Sequence, residues 1–139
     1  MPVRYLRTLP NEGASSWDFA RSPGAVLVHL GTNDFAKGDP GQPFVDAYTA
    51  FVAALRGHYP AARIYLAVSP MLSGERRAAL KTYLQQVSSA RAAQGDANLA
   101  LIEFAPPAAD AWGCGHPNGA THVIMAGVLS KALQADLGW

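Results

Sequence analysis

The sequence predicts an α/β protein built on a parallel sheet with helices packed against it. From residue 25 onward, short apolar β-branched runs alternate with longer segments of helical periodicity, and turn residues separate them. Such βαβαβα alternation implies parallel strands, because these need crossover connections and a helix is the usual one. The chain is also large enough for a core: 139 residues, 50% apolar and 15% charged, describe one domain rather than a disordered tail or a coiled coil.

The elements follow in order. Residues 25–30 (AVLVHL) read as a buried strand closed by Gly31. After a Gly- and Pro-rich loop at 37–43, the residues Phe44, Val45, Tyr48, Phe51, Val52 and Leu55 mark one helix face, which stops near Gly57 and Pro60. Residues 63–68 (RIYLAV) form a second strand ended by Ser69-Pro70. A second helix is expected from Gly74 to Ala93, a third strand at 98–104, and a third helix at 121–137 with Ile124, Met125, Val128, Leu129 and Leu133 facing inward. Before residue 25, Val3 to Leu6 read as a short strand, and Pro10 to Gly13 and Ser22 to Gly24 as turns.

Composition narrows the function. Eleven Lys and Arg against ten Asp and Glu, without a run of like charge, argue against nucleic acid or an anionic membrane as partner. One cysteine, Cys114, excludes an internal disulfide and a multi-cysteine zinc site, and no His/Asp/Glu cluster has ligand spacing, so neither metal nor cofactor is expected. No apolar run approaches the roughly 20 residues that span a bilayer, and no export signal is visible at the amino terminus.

In an open parallel sheet, ligands bind outside the carboxyl ends of the strands. That points to three loops: Gly31 to Phe35, Ser69 to Ser73, and Ala105 to Asn118. In the first, Gly31 permits a tight turn and Asn33 can aim its amide at an oxyanion, although Asn and Asp are equally at home in turns and caps. In the last, Pro117 suits a helix's first turn, which places His116 at or near the N-cap as a neutral base or, equally, as a surface histidine of a capping loop. His29 reads as a core residue, His58 as an exposed helix end, and His122 as a helix-packing residue. Cys114, two residues from His116, reads more readily as an inert small residue than as a nucleophile.

Together these loops resemble the third and fifth sequence blocks of the SGNH (GDSL-type) hydrolases. The wording is most similar to the carbohydrate esterase family 2 acetyl esterases, in 28–35 (VHLGTNDF), Phe44-Val45-x-Ala47-Tyr48, Ser69-Pro70-Met71-Leu72, and Gly115-His116-Pro117-Asn118-x-x-Thr121-His122. The resemblance implies a three-layer, flavodoxin-like parallel sheet of three to four strands with helices on both faces, as a truncated SGNH hydrolase fold spanning 1–139. It further implies hydrolysis of short acyl esters, acetyl esters of carbohydrates such as acetylated xylan being expected, with His116 as general base and Asn33 as oxyanion donor. Gly31, Asp34, Trp112 and Cys114 are the expected substrate-binding residues. The family's orienting Asp would fall at Gly113, which leaves a main-chain carbonyl between Trp112 and Gly115 for that task.

The chain has no Gly-Asp-Ser nucleophile block, and its first strand is similar to the family's third. Under an esterase reading, Ser15, Ser16 or Ser69 replaces the nucleophile, or His116 activates water directly. The alternative is an inactive carbohydrate-binding or oligomerisation module, with Trp17, Trp112, Phe35 and Tyr65 as candidate sugar platforms if they are not core. An amino-terminally truncated sheet exposes the edge of its first strand, so residues 1–12 are expected to fill the gap or the chain to form a homo-oligomer. The family resemblance suggests a secreted or cytoplasmic bacterial protein.

Overall fold

The computed structural model describes residues 2–139. Three parallel strands, β1 (Ala25–Val28), β2 (Arg63–Val68) and β3 (Leu99–Glu103), form a sheet in the order β1-β2-β3. Helices α2 (Gly41–His58) and α3 (Gly74–Ala93) make the two crossovers, after a four-residue amino-terminal helix α1 (Pro2–Tyr5), and α4 (Gly119–Leu137) closes the fold. A two-stranded hairpin, β4 (Trp112–Gly113) with β5 (His116–Pro117), precedes α4. The architecture is the three-layer α/β sandwich that the sequence predicts.

The strand order decides which helix lies where. Both crossovers advance the same way across the sheet, and right-handed connections then place α2 and α3 on one face. Alternation along β2 sends Ile64, Leu66 and Val68 into that face's core with Val52, Leu55, Leu80, Leu84 and Val87. Tyr65 and Ala67 point the other way, joining Ile102 and Phe104 under Met125, Leu129, Ala132 and Leu133 of α4. Because β2 is covered on both faces, it reads as an unbroken apolar run.

Polar ties lock the layers together. Asp136 on α4 accepts from Arg63 Nε and Tyr65 Oη, each at 3.0 Å, which pins the helix end to β2. At the amino ends of the strands, Arg56 donates to Asp96 at 3.1 Å and to the carbonyls of Ala62 and Asn98, and Arg91 reaches the same carboxylate at 3.3 Å. Burial of Asp96 opposes its ionisation, but the two guanidiniums outweigh it and hold its carboxyl below the ordinary value.

Four expectations are corrected. Residues 2–5 form a helical turn rather than a strand, with Pro2 in the first turn where its missing N–H costs nothing; Met1 lies outside the described residues. Helix α2 starts at Gly41, inside the expected loop, since Pro43 falls in the first turn. Ile124 is 65% exposed and Val128 is 36% exposed: each precedes by one residue a member of the partly buried 125, 129, 132, 133 stripe, about 100° round the helix. Phe35 and Tyr65, each 1% exposed, are core and offer no platform to a sugar.

Candidate active site

A cavity of about 600 Å³ opens at the carboxyl ends of the strands, where the topology predicts a ligand. All three expected loops reach it: Gly31, Thr32, Asn33 and Asp34 after β1, Met71 after β2, and His116 after β3. Helix α2 supplies the remaining wall through Pro43, Phe44, Ala47, Tyr48 and Phe51. Periodicity marks these residues as one helix face but does not reveal that its first turns overhang the sheet.

The loop after β1 is set by burial. Gly31 has φ 117°, and a Cβ there would lie 2.8 Å from Leu80 Cδ1 and 3.2 Å from Phe44 Cζ, so only glycine makes this bend. It leads into a 3-10 helix (Thr32–Lys37) that drives Phe35 into the core while leaving Asn33 and Asp34 exposed on the cavity side. Thr32 Oγ1 donates to Ser69 Oγ at 2.7 Å, the Met71 N–H donates to the same oxygen at 3.1 Å, and Arg77 donates to the Ser69 carbonyl at 2.6 Å. Ser69 is wholly buried, so its hydroxyl braces the two loops and does not meet the cavity.

The loop after β3 is set by local backbone bonding. Cys114 (φ 52°) and Gly115 (φ 78°) form the two-residue turn between β4 and β5, both with the positive φ that tight hairpins use. The turn aims the Cys114 carbonyl at His116 Nδ1, 3.3 Å away. A carbonyl only accepts, so in this contact Nδ1 is the donor, and in the neutral ring Nε2 is then the nitrogen able to accept a proton. Cys114 lies within the Trp112–Gly115 stretch where the resemblance seeks a main-chain carbonyl beside the histidine. His116 stands two residues before the N-cap of α4. Asn118 caps α4, accepting from the Thr121 N–H at 3.1 Å, because its short amide reaches the first turn and an imidazole at 116 does not. Asn118 N–H and Thr121 Oγ1 both donate to the Ala111 carbonyl, at 2.9 Å each, and so tie helix to hairpin. These two positioning residues stand in the quoted His-Pro-Asn-x-x-Thr block, yet spacing alone gave them no role.

The other predicted residues divide. Trp112 and Cys114 are exposed on the hairpin but do not line the cavity. Ser15 lies in the amino-terminal segment, where its Oγ accepts from the Leu9 N–H at 2.7 Å, and it is not among the cavity residues either. His58 is half-buried, stacked on Phe19 at 3.6 Å, rather than exposed. His29 falls just past the end of β1, not inside it, and lines the cavity with its ring edge-on to Phe104 at 5.4 Å. Although part of its surface meets solvent, desolvation first and the neighbouring His122 second hold its imidazole below the ordinary value. His29, His116 and His122 do not converge into a three-ligand metal group among the described residues.

Fold and cleft together define an α/β protein whose amide and imidazole meet over a small-molecule cavity at the switch from sheet to loops. The chain belongs to the GDSL-like Lipase/Acylhydrolase family, whose model matches residues 4–124. It is 36% identical over 141 residues to the cellulase/esterase CelE of Acetivibrio thermocellus, covering 98% of this chain and 17% of that protein. It is 32% identical to an acetylxylan esterase / glucomannan deacetylase of Cellvibrio japonicus, covering 100% of this chain and 38% of the relative. Among solved structures, a family two carbohydrate esterase from Clostridium thermocellum in complex with cellohexaose superposes with a TM-score of 0.91 at 35% identity, over 99% of this chain and 43% of that one. The chain therefore spans less than half the length of the relatives it matches. Among the described residues, no helix is long and apolar enough to cross a membrane.

Proposed function

We propose that this chain carries the base and oxyanion half of a carboxylic ester hydrolase acting on short acyl esters, acetyl groups on carbohydrate above all. The observation that carries the reading is the meeting of Asn33 and a tautomer-fixed His116 on one cavity of about 600 Å³. His116 Nε2 takes the proton of the attacking hydroxyl, here a water molecule, as its oxygen adds to the acyl carbonyl. The exposed Asn33 amide, which has no hydrogen bond within the described residues, donates to the oxygen that becomes negative. When the tetrahedral intermediate collapses, His116 returns the proton to the departing alkoxide. Gly31 makes the bend that brings Asn33 to the cavity, Asp34 borders the polar side, and Phe44, Tyr48, Phe51 and Met71 form an apolar wall for the acyl methyl. The relatives' printed activities, acetylxylan and glucomannan deacetylation in one case, support the acetylated-carbohydrate substrate.

A second reading, a carbohydrate-binding module without turnover, is favoured by one fact: no serine lines the cavity. Initial rates with a small acetyl ester and with acetylated xylooligosaccharides decide between them. Loss of a single machinery member should cost about 10²–10³ for Asn33→Ala. If His116→Ala hydrolyses at the wild-type rate, the esterase reading fails; calorimetric binding without turnover would then establish the second.

A further inference from the structure

The cavity that holds Asn33 and His116 is charged on one side only. Asp34 brings a carboxylate to it, and among the described residues neither Lys nor Arg lines it. Elsewhere in the fold carboxylates are matched by cations: Asp96 by Arg56 and Arg91, Asp136 by Arg63, and Glu103 by Lys81 and Arg77. Nor does Asp34 use its oxygens on the turn it stands in. Asp18 and Asp39 each accept from the backbone N–H two residues on, at 3.0 Å, as carboxylates in turns do, whereas the Asp34 side chain makes no such bond among the described residues. Its charge is exposed and unspent, beside the oxyanion donor.

The wall from α2 complements that charge. Phe44, Tyr48 and Phe51 follow the i, i+4, i+7 spacing of one helix face and border the same space. Phe44 and Tyr48 meet at 5.3 Å and tilt by 56°, so neither ring's face is covered by the other. Burial pushes the Tyr48 phenol above its ordinary value, a contact with the Leu30 backbone opposes this, and the Asp34 carboxylate adds to it. The ring therefore stays neutral, and it feels the Asp34 charge.

We propose that the cavity selects esters by charge, with Asp34 and the α2 rings holding an ammonium on the alcohol half of the substrate, as an amino sugar would carry. A carboxylate attracts the cation, and ring faces replace part of its hydration. A uronate or phosphate on the alcohol would meet Asp34 with no Lys or Arg to receive it. At about 600 Å³ the cavity is much larger than an acetyl group, so one wall takes the acyl methyl and the alcohol half side by side. The inference deepens the esterase reading and rests on it for turnover, but not for binding.

The test compares kcat/KM for acetylcholine and its uncharged carbon isostere, neohexyl acetate, on the full chain at low ionic strength. The cationic ester should be favoured roughly fivefold, and added salt should shrink the preference. Asp34→Asn should bring the ratio near unity, while Asp34→Glu should keep most of it. Because the ratio is read within each variant, a general loss of activity does not disturb it. Equal values in the wild type, or the wild-type ratio persisting in Asp34→Asn, overturn the proposal. If neither ester is hydrolysed, the esterase reading fails by itself, and charge selection is then read from wild-type protein titrated with choline and with neohexyl alcohol by NMR. Tighter binding of choline supports it; equal binding, or none, overturns it. The acetyl esters of methyl glucosaminide and methyl glucoside, compared at a pH where the amine is protonated, test the carrier: preference for the amine supports an amino sugar, and indifference overturns that assignment.

Discussion

Asn33 and His116 reach one cavity from two loops with different anchorage. The Asn33 loop is moulded from beneath: Gly31 wedged against Leu80 and Phe44, Phe35 in the core, Ser69 buried under both. The His116 hairpin has no buried side chain of its own between Trp112 and Asn118, and is held by a two-residue turn and by hydrogen bonds to neighbouring backbone carbonyls. An oxyanion donor has to be in place before charge develops, which favours a site fixed by packing. A base that takes a proton and gives it to a different atom tolerates a looser mount. The donor side is thus coupled to global stability, whereas the base side is open to local adjustment.

The largest effect should come from the packed side. Gly31→Ala meets both a positive φ and a 2.8 Å contact, and is expected to cost about 2–5 kcal/mol in urea unfolding. Ser69→Ala strips Thr32 and Met71 of their acceptor in a buried place, at about 1–3 kcal/mol by the same measurement. If either variant unfolds at the wild-type midpoint, the packed loop is no better anchored than the hairpin. Acid supplies a control that favours neither loop. The Asp96 carboxyl is depressed by Arg56 and Arg91 against its burial, so its stabilisation is present above the unfolded value near about 3.9 and fades as pH falls through the lower folded one. Asp96→Asn should flatten that acid limb in pH-dependent melts.

Smaller changes probe the hairpin. Asn118→Ala removes the cap of α4 and should cost about 1 kcal/mol while lowering kcat more than KM changes, because it shifts His116 rather than the acyl wall. An equal loss of stability with unaltered kcat would separate the cap from the base. Least of all, Cys114→Gly relieves a left-handed residue and should leave the melting temperature level or raise it slightly, without loss of activity. A clear loss of activity would show that the thiol does more than sit in a turn.

Much of this was legible in the residues. The span of β2 and both ends of α3 follow from an unbroken apolar run and a stretch of helical period from Gly74 to Ala93, because both elements are set by covered faces. Asn33 and His116 were placed by loop position, and the cavity unites them. What the pattern concealed depends on neighbours absent from the local sequence. Val3 to Leu6 has the letters of a strand but no strand beside it, so it coils. His29 looked interior because the first strand was expected to run to residue 30, two residues past its end at Val28. Asn118 takes the cap two residues past His116 because its side chain reaches the Thr121 N–H, which spacing does not encode. Ser69 has the right address for a nucleophile, and only its burial removes it from the surface.

The three tryptophans have a consequence for optical work. Trp17 and Trp112 are each 36% exposed and Trp139 is 63% exposed, so none belongs to the core. Indole emission will therefore report on the rim of the molecule and change little when the interior melts. With Trp17 and Trp139 replaced by Phe, the remaining fluorophore sits on the strand paired to Pro117 and Gly113's partner His116, giving a lamp fixed to the hairpin that carries the base. Its anisotropy would follow that hairpin's motion in real time.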